Sequence, residues 1–515
     1  METSHNKQPG LLTAIGIGVG CIIGSGWLFS AYYAAQYIGP ASFFSWSIGA
    51  IFSLILALLL AEIAGMFKQK ALFSRLLTIS HNNPDFGFVI AISGWLGLVI
   101  VIPTEASATV QYLSTIIPSY THYLFVNEQH TLLGKACIIF LVMIYSIINY
   151  WGIQSLAKVS NFIAVFKIII PILTALILLS ASFHPENFSS QGFAPYGYER
   201  IFSGVVVCGI FYAFYGFAMI AMYSRELKNP RKNIPRALII SVLLCFIIYV
   251  LLQAAFIGGL PPSMVAKGWK NLSFTSPLAQ LLILLHINIL SLWSMVLYFD
   301  SAISPSGTAI IYLGSAGRTL TGMSRDKQFP GFFNKIHPVF QLSRRSLLFT
   351  ALTCSVILFF FKNWKELMIL VSVFQLISCA AIPVAFTKLR LNQPDKERIY
   401  RVKLGKILSY FIFLVVTYLL AQANVASVVV AAALHVFFFL VYAIIYYKRE
   451  LKKILTAYRS ANSIFIYMFL AIGFSYLHQE GLLIKPPVLM FFVVIVSTNF
   501  WMLIQQKNFM PQEEL

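Results

Sequence analysis

Two short segments rich in small residues could bind a polar ligand in this chain. The first is Gly24-Ser25-Gly26, near the middle of an apolar stretch that runs from Leu11 to Tyr33. The second extends from Gly209 to Gly216, inside another apolar stretch. Backbone polar groups at bilayer depth are tolerated only where they are buried in protein or line a water-filled cavity, because lipid offers them no hydrogen-bond partner. Each break therefore predicts a place where free N–H and C=O groups meet something polar.

The composition places these stretches in a membrane. Of the 515 residues, 59% are hydrophobic and only 10% are charged, with a mean hydropathy of +0.80. Soluble domains carry about 25% charged residues. Because a membrane span needs ~20 mainly apolar residues, we predict a multi-pass protein with about fourteen spans. They cover residues 11–33, 41–67, 87–117, 132–149, 159–182, 201–222, 237–260, 277–313, 346–361, 367–387, 407–423, 425–446, 462–478 and 487–505.

The formal net charge of +20 is explained by topology. Most of the 37 lysines and arginines fall in alternate connecting segments, and cytoplasmic loops are the ones that retain such residues. This distribution predicts that residues 1–10 and the tail 506–515 are both cytoplasmic, and it argues against nucleic-acid binding. The first apolar run is too long for a secretory signal peptide, so we expect it to remain as the first span. The six cysteines lie in predicted spans, which indicates free thiols, and no metal motif or cofactor motif is visible.

The spacing of the two breaks carries more information than either break alone. The second lies five spans after the first, as in inverted-repeat transporters, whose broken helices form a site near the bilayer midplane. The alternative is that the glycines only allow close helix packing. We predict a first repeat over residues 11–182 and a second over 201–387, followed by two spans within 407–446 and two added helices within 462–505.

Several motifs then suggest a family. The segment Gly-Ile-Gly-Val-Gly-Cys-Ile-Ile-Gly-Ser-Gly-Trp-Leu-Phe at 16–29 resembles the first helix of the amino acid, polyamine and organocation (APC) permeases. The resemblance extends over about residues 10 to 450, with matches at Ala61-Glu62, Phe211 to Phe217, Glu226-Leu-Lys-Asn-Pro and Met323-Ser-Arg-Asp. It implies an all-α membrane protein with the LeuT-like five-plus-five inverted repeat, extended here by additional C-terminal helices. Within the family, Pro103-Thr-Glu105, Asp300 and Ser304-Pro-Ser-Gly-Thr308 look most like bacterial aspartate–proton symporters, which implies an inner-membrane location.

The resemblance also implies where a substrate binds. In the family, the carboxylate of an amino acid lies against the broken first helix, and its ammonium lies near carbonyls of the first and sixth helices. Free N–H groups at a helix N-terminus carry about half a positive charge and attract anions. The expected carboxylate contacts are the amides of Ser25, Gly26 and Trp27. The expected ammonium contacts are Ile22, Ile23, Phe211, Tyr212 and Phe214, with glycine needed at Gly24, Gly26 and Gly216 because a Cβ would crowd the bend or the ligand.

Lys167 is the most informative charged residue, because it lies deep within the predicted fifth span. A lysine at the centre of a span costs about 2.5 to 3.5 kcal/mol on insertion scales, so it should be neutral, paired or functional. In proton-coupled relatives a lysine at the similar position takes the place of the sodium ion of sodium-coupled members. We therefore expect Lys167 to couple transport to protons, with Glu105 and Asp300 as further candidates. The alternatives are a static pair with Asp300 or Glu105, or snorkelling; Glu62 is interpreted as structural.

The expected function is import of a small amino acid with protons by alternating access, without chemical change of the substrate. Many family members carry an acidic residue in the sixth span where this chain has Gly216-Phe217-Ala218, so a basic-amino-acid exchanger is disfavoured. Only the narrower resemblance indicates an acidic substrate such as aspartate. The alternatives are an obligatory exchanger, a permease-like nutrient sensor, and a membrane enzyme acting on lipid-linked substrates. The sequence leaves stoichiometry and oligomeric state open.

Overall fold

The computed structural model describes residues 10–67, 72–151, 154–218, 227–338, 340 and 342–509. Glu226 of the family motif, Lys68 and Lys70 lie outside these residues, as do most of the predicted cytoplasmic ends. The described chain is nearly all helical, because a helix satisfies its backbone hydrogen bonds internally and lipid does not. The helices are α1 Leu11–Ile22, α2 Gly26–Ile38, α3 Ser42–Met66, α4 Leu72–His81, α5 Pro84–Leu113, α6 Thr121–Leu124, α7 Leu132–Tyr150, α8 Gln154–Ala181, α9 Arg200–Val207, α10 Ile210–Phe214, α11 Pro230–Gly259, α12 Pro262–Val265, α13 Pro277–Leu284, α14 Asn288–Arg325, α15 Arg344–Phe360, α16 Trp364–Asn392, α17 Gly405–Ala421, α18 Val425–Tyr446, α19 Leu451–Gln479 and α20 Pro486–Gln505.

Eight helices of the described chain are long and apolar enough to cross a membrane, or nine if the bent pair α1 and α2 forms one span. The remaining predicted spans coincide with helices that are shorter, broken or more polar, such as the 17-residue helix α17. The prediction of an all-α, LeuT-like membrane protein is confirmed. The total of fourteen spans and the division into two repeats stay predictions.

The first predicted break is present where the sequence places it. Helix α1 ends at Ile22, α2 begins at Gly26, and the two helices meet at an angle of 54°. Ile23 adopts an extended conformation (φ −81°, ψ 101°) between them. Since the chain leaves the helix here, the first-turn amides of α2 have no intrahelical acceptor.

The second break consists of two turns around the short helix α10. Helix α9 ends at Val207, and Gly209 then adopts a left-handed conformation with φ of 76°. That conformation disfavours residues with a Cβ. After α10 the chain turns again at Tyr215 and Gly216, and Phe217 and Ala218 are helical. The glycines that delimit the predicted segment thus lie at its two turns.

The eighth span differs from the predicted range of 277–313. The chain turns between α13 and α14 at residues 285–287, where His286 has a φ of 52°. Helix α14 then continues to Arg325, so the segment that connects the predicted spans 277–313 and 346–361 is partly helical. The part of α14 after residue 313 lies against α15. A Cβ added to Gly317 would be in van der Waals contact with the Cα of Leu347, at 3.6 Å.

The two added C-terminal helices, α19 and α20, form hydrogen bonds with the segment that connects α3 and α5. This connection contains helix α4, which the sequence did not predict. A nitrogen of the His81 ring lies 3.0 Å from the Leu503 carbonyl in α20, and Asn83 Nδ2 donates to the Ser460 carbonyl in α19 at 2.7 Å. The last helices are therefore part of the packed bundle.

A two-stranded hairpin lies between α5 and α7. Strands β1 (Phe125–Val126) and β2 (Gln129–His130) are antiparallel, and the His130 amide donates to the Lys362 carbonyl at 2.8 Å. The hairpin thereby connects to the residues just before α16. This contact fixes the start of α16, which carries a residue of the site described below.

Candidate functional site

The break in the first span is occupied by a side chain from α5. The Ser25 amide donates to Glu105 Oε2 at 2.7 Å, and the Tyr212 hydroxyl donates to Glu105 Oε1. A Cβ at Gly24 would lie 2.5 Å from Glu105 Oε1, so only glycine leaves room for the carboxylate. Glu105 is 1% exposed. It therefore bridges the two broken spans in a dry environment.

The Ser25 side chain forms the other side of this site. Trp364 Nε1 donates to Ser25 Oγ at 2.9 Å, and the Tyr212 hydroxyl lies 3.3 Å from the same oxygen. The Trp364 ring stacks on Phe29 and Tyr33, with centroid distances of 4.7 and 5.7 Å. All of these groups except Tyr33 are buried. The site is therefore closed on the side where α16 begins.

The two broken spans approach each other closely. A Cβ added to Gly216 would lie 2.4 Å from the Cys21 carbonyl group and 2.4 Å from the Ile22 amide nitrogen. A Cβ at Gly26 would lie 3.0 Å from the Ala213 Cβ. The close-packing explanation therefore applies to these glycines, and it is compatible with the binding explanation, because close packing brings the backbone of both breaks to one place.

The other residues that were predicted to contact the substrate lie in different surroundings. The Phe211 ring packs on Phe52, and the Phe214 ring packs edge-on against Tyr249, so both side chains belong to the surrounding core. The carbonyl of Ile22 accepts from the Tyr249 hydroxyl at 3.3 Å. Trp27 is buried, and its Nε1 has no hydrogen-bond partner within the described part of the chain. For Phe211 and Phe214, the backbone groups are therefore the ones that could contact a ligand at the break.

Lys167 lies beside the end of α1. Its Nζ donates to the Gly20 carbonyl at 2.9 Å and to Thr308 Oγ1 at 2.6 Å. Thr308 Oγ1 in turn donates to the Ile23 carbonyl at 3.4 Å. Among the described residues, no carboxylate lies within 4.0 Å of Nζ. Neither the static ion pair nor snorkelling describes Lys167, which is 1% exposed and joins α1 to α14 through neutral oxygens.

Asp300 lies two turns before Thr308 on α14. It is 1% exposed, and neither of its carboxylate oxygens has a hydrogen-bond partner among the described residues. Ser304 Oγ, one turn further along, also has none there. Residues four apart share a helix face, so Asp300, Ser304 and Thr308 form a polar stripe that ends at Lys167. The structure places Asp300 on that stripe and not in contact with Glu105.

The sequence analysis did not predict that three further residues, Trp364, Tyr249 and Thr308, contact the two breaks. Trp364 lies just before the predicted span 367–387, where tryptophan is common because it favours the membrane interface, so its type gave no signal. Tyr249 lies in an ordinary apolar run. Thr308 offered a signal, because it follows Asp300 and Ser304 at intervals of four along one helix face.

Similarity to known proteins shows the family of this chain. The sequence matches the family described as "Amino acid permease" over residues 10–448. The chain belongs to this family of the APC superfamily. It is 39% identical to the glutamate/serine transporter AimA of Bacillus subtilis over 405 residues, which cover 77% of this chain and 74% of that protein. It is 28% identical to the aspartate-proton symporter of Bacillus subtilis over 506 residues, 96% of this chain and 95% of that protein.

A further relative is the branched-chain amino acid permease BcaP of Bacillus subtilis, 26% identical over 78% of this chain and 84% of that protein. The permease is therefore a multi-pass membrane transporter of the amino acid class, and the prediction that it is not an enzyme is confirmed. The resemblance stated from the motifs is likewise confirmed.

Proposed function

We propose that this permease imports a small amino acid together with protons across the bacterial inner membrane. The observation that carries the proposal is the position of Lys167, whose ammonium group contacts the Gly20 carbonyl beside the first break and the Thr308 hydroxyl. Carbonyl and hydroxyl oxygens are the ligands that a hard cation prefers. A protonated lysine there provides a positive charge, and its ammonium group can lose and regain a proton as access alternates.

The proposed substrate site is the pair of facing breaks. The carboxylate of the amino acid binds the amides of Ser25, Gly26 and Trp27 at the start of α2, where the helix dipole favours an anion. Its ammonium binds backbone carbonyls at the end of α1 and around α10, namely those of Ile22, Ile23, Phe211, Tyr212 and Phe214. Tyr212 and Trp364 cover the site, so opening them admits the substrate.

An acidic or small polar amino acid is the proposed substrate. The support comes from two relatives whose names give glutamate and serine for one and aspartate with protons for the other. A thermal-shift screen of the twenty amino acids on the purified permease identifies the ligand, because a ligand that prefers the folded state raises the melting temperature by mass action. We expect aspartate, glutamate or serine to give the largest shift.

Uptake into proteoliposomes tests the proton coupling. With an inward pH gradient and no internal amino acid, we expect the permease to accumulate the substrate above its external concentration. Lys167→Ala should abolish this accumulation and retain exchange of external for internal substrate. The matched control is Lys135→Ala, because Lys135 is a half-buried lysine outside the two breaks whose Nζ also donates to a backbone carbonyl, that of Phe359, at 3.2 Å.

The outcomes separate the alternatives. Uptake that requires internal amino acid in the wild type identifies an obligatory exchanger. Saturable binding without flux identifies a sensor. Accumulation by Lys167→Ala equal to that of the wild type removes Lys167 from the coupling mechanism.

A further inference from the structure

The contacts of Glu105 are those expected of a substrate carboxylate. Its Oε2 accepts at 2.7 Å from the amide of Ser25, the N-cap residue of α2, and its Oε1 accepts from the Tyr212 hydroxyl. Both donors are neutral, and both belong to the proposed substrate site. A substrate carboxylate and the Glu105 carboxylate cannot occupy the Ser25 amide together, so binding of one excludes the other.

We propose that Glu105 is an internal ligand that an amino acid carboxylate displaces, and that the displaced Glu105 takes up one proton. This inference rests on the proposed transport function and concerns the proton that is taken up when the substrate binds, which is distinct from the ammonium proton of Lys167. The proton comes from the solution facing the site and ends on a Glu105 carboxyl oxygen, and no other bond changes. The substrate carboxylate replaces the Glu105 carboxylate at the Ser25 amide, and Glu105 is then protonated. One anion is therefore present at the break before and after binding.

The surroundings explain why the displaced carboxylate needs a proton. Two carboxylates within a few ångströms in a dry site cannot both stay ionised, and an uncompensated buried charge is costly. The ionisable groups that interact with Glu105 come from five neighbouring helices and are Lys167, Tyr212, Tyr145, Tyr249 and Tyr312. Tyrosines are neutral at physiological pH. Lys167 is the one potential cation of this set and attracts the Glu105 carboxylate. Its Nζ nevertheless donates to the Gly20 carbonyl and the Thr308 hydroxyl and, among the described residues, makes no ion pair with Glu105.

The proposal has a consequence for specificity. The proton is coupled to the α-carboxylate, which all amino acids share, and not to the side chain. Aspartate and serine should therefore each bring one proton. An analogue such as serinamide, which carries a neutral amide in place of the carboxylate, cannot replace Glu105 at the Ser25 amide.

Proton counting on the purified full-length permease tests this inference. In weakly buffered solution with a pH indicator, saturating aspartate or serine should cause uptake of about one proton per bound molecule. The affinity should weaken about tenfold per pH unit above the titration of Glu105, which is the slope for one linked proton. Glu105→Gln should bind the amino acid at all pH values, with a pH-independent affinity and without proton uptake. Serinamide should bind at least about tenfold more weakly to the wild type, as expected when a charge-assisted hydrogen bond is lost.

Asp85→Asn is the matched control. Asp85 is another buried carboxylate of α5, and it accepts from the hydroxyls of Tyr442 and Tyr447 at 2.9 and 2.7 Å, far along the helix from Glu105. Its variant should keep the proton uptake of the wild type. If Glu105→Gln does not fold, serinamide on the wild-type permease provides the second test, because a ligand without a carboxylate should bind without proton uptake, and proton uptake equal to that of serine would overturn the inference.

Proton uptake by Glu105→Gln equal to that of the wild type overturns the inference, as does tighter wild-type binding at high pH. These results differ from a failure of the proposed function. A permease that shows the Glu105-dependent proton uptake but no accumulation under a pH gradient is not a symporter, although the displacement of Glu105 still holds.

Discussion

Glu62 and Glu105 are both buried glutamates on long helices of this permease, and they are held in opposite ways. Glu62, at the end of α3, accepts from Arg390 through two nitrogens at 2.8 and 2.7 Å and from Arg398 at 3.1 Å. It also accepts from the Val402 amide at 2.6 Å. Glu105 accepts from one amide and one phenol, and no cation of the described residues forms an ion pair with it.

The difference shows which carboxylate can be exchanged. A carboxylate paired with two guanidinium groups cannot leave without exposing two buried charges. A carboxylate held by neutral dipoles can be replaced by another anion that meets the same donors. Glu62 therefore fixes α3 to α16 and the following loop, whereas Glu105 is held at the break of the first span by donors that another carboxylate could use.

The largest expected effect tests the close approach that forms the binding region. Gly216→Ala places a methyl group 2.4 Å from the backbone of Cys21 and Ile22, and backbone atoms cannot yield. We expect transport to fall about a hundredfold, as in enzyme sites displaced by roughly 1 Å. Gly473→Ala in α19 is the control, because its added Cβ meets nothing within 4 Å and transport should be unchanged. Normal uptake by Gly216→Ala would show that the two breaks need not touch.

The second prediction concerns the Glu62 region. Glu62→Gln leaves the guanidinium groups of Arg390 and Arg398 without their anion, and removal of one partner of a buried pair typically costs about 3 to 5 kcal/mol. Thermal unfolding in detergent should show a melting temperature well below that of the wild type. Glu450→Gln, which removes an exposed ion pair with Lys453, should lower stability by less than about 1 kcal/mol. Equal melting temperatures for both variants would contradict a structural role for Glu62.

The third prediction separates acid sensitivity of the fold from proton coupling at Glu105. Burial, and secondarily the charge of Lys388, lower the pKa of His81 from 6.5 to about 3. Because the unfolded chain binds the proton between these values and the folded chain does not, stability falls as the pH falls below about 6.5. The loss at pH 5 is about 2 kcal/mol.

Melting curves at pH 7.5 and pH 5 measure this effect. His81→Gln should lose less stability on acidification than the wild type, whereas His286→Gln, at an exposed turn, should behave as the wild type does. If His81→Gln loses as much stability as the wild type between pH 7.5 and pH 5, His81 is not the group that causes the acid sensitivity. Proton uptake linked to substrate binding should be the same in both histidine variants.

The smallest expected effect tests the cover of the site. Trp364→Phe keeps a ring against Phe29 and removes the Nε1–H that donates to Ser25 Oγ. Loss of one such hydrogen bond costs about 1 kcal/mol, so the KM for uptake should rise about fivefold. Trp95→Phe is the control, because the Trp95 Nε1 has no hydrogen-bond partner in the described residues. A KM shared by both variants would exclude Trp364 from the site.

The sequence predicted the parts of this arrangement that are local. Gly24-Ser25-Gly26 marks the bend between α1 and α2 because a run of small residues within an apolar stretch is visible in a short window. The depth of Lys167 follows from the length of its span, and Glu62 was assigned a structural role from its position near the membrane surface.

The contacts that join distant segments were not predictable from local pattern. Glu105 and Ser25 are 80 positions apart, and Trp364 and Ser25 are 339 positions apart. Such contacts depend on how the helices pack, and a single sequence does not specify that packing. Helix α4 and the turn at His286 were also missed. Helix α4 lies in a segment whose composition favours a loop, and the turn at His286 lies in an apolar run whose composition favours a continuous helix.

A structure of the permease with a bound amino acid tests the central claim most directly. We predict a substrate carboxylate oxygen within hydrogen-bond distance of the Ser25 amide, with the Glu105 carboxyl group displaced from that amide. An amino acid bound elsewhere, with Glu105 still accepting from Ser25, would contradict the account.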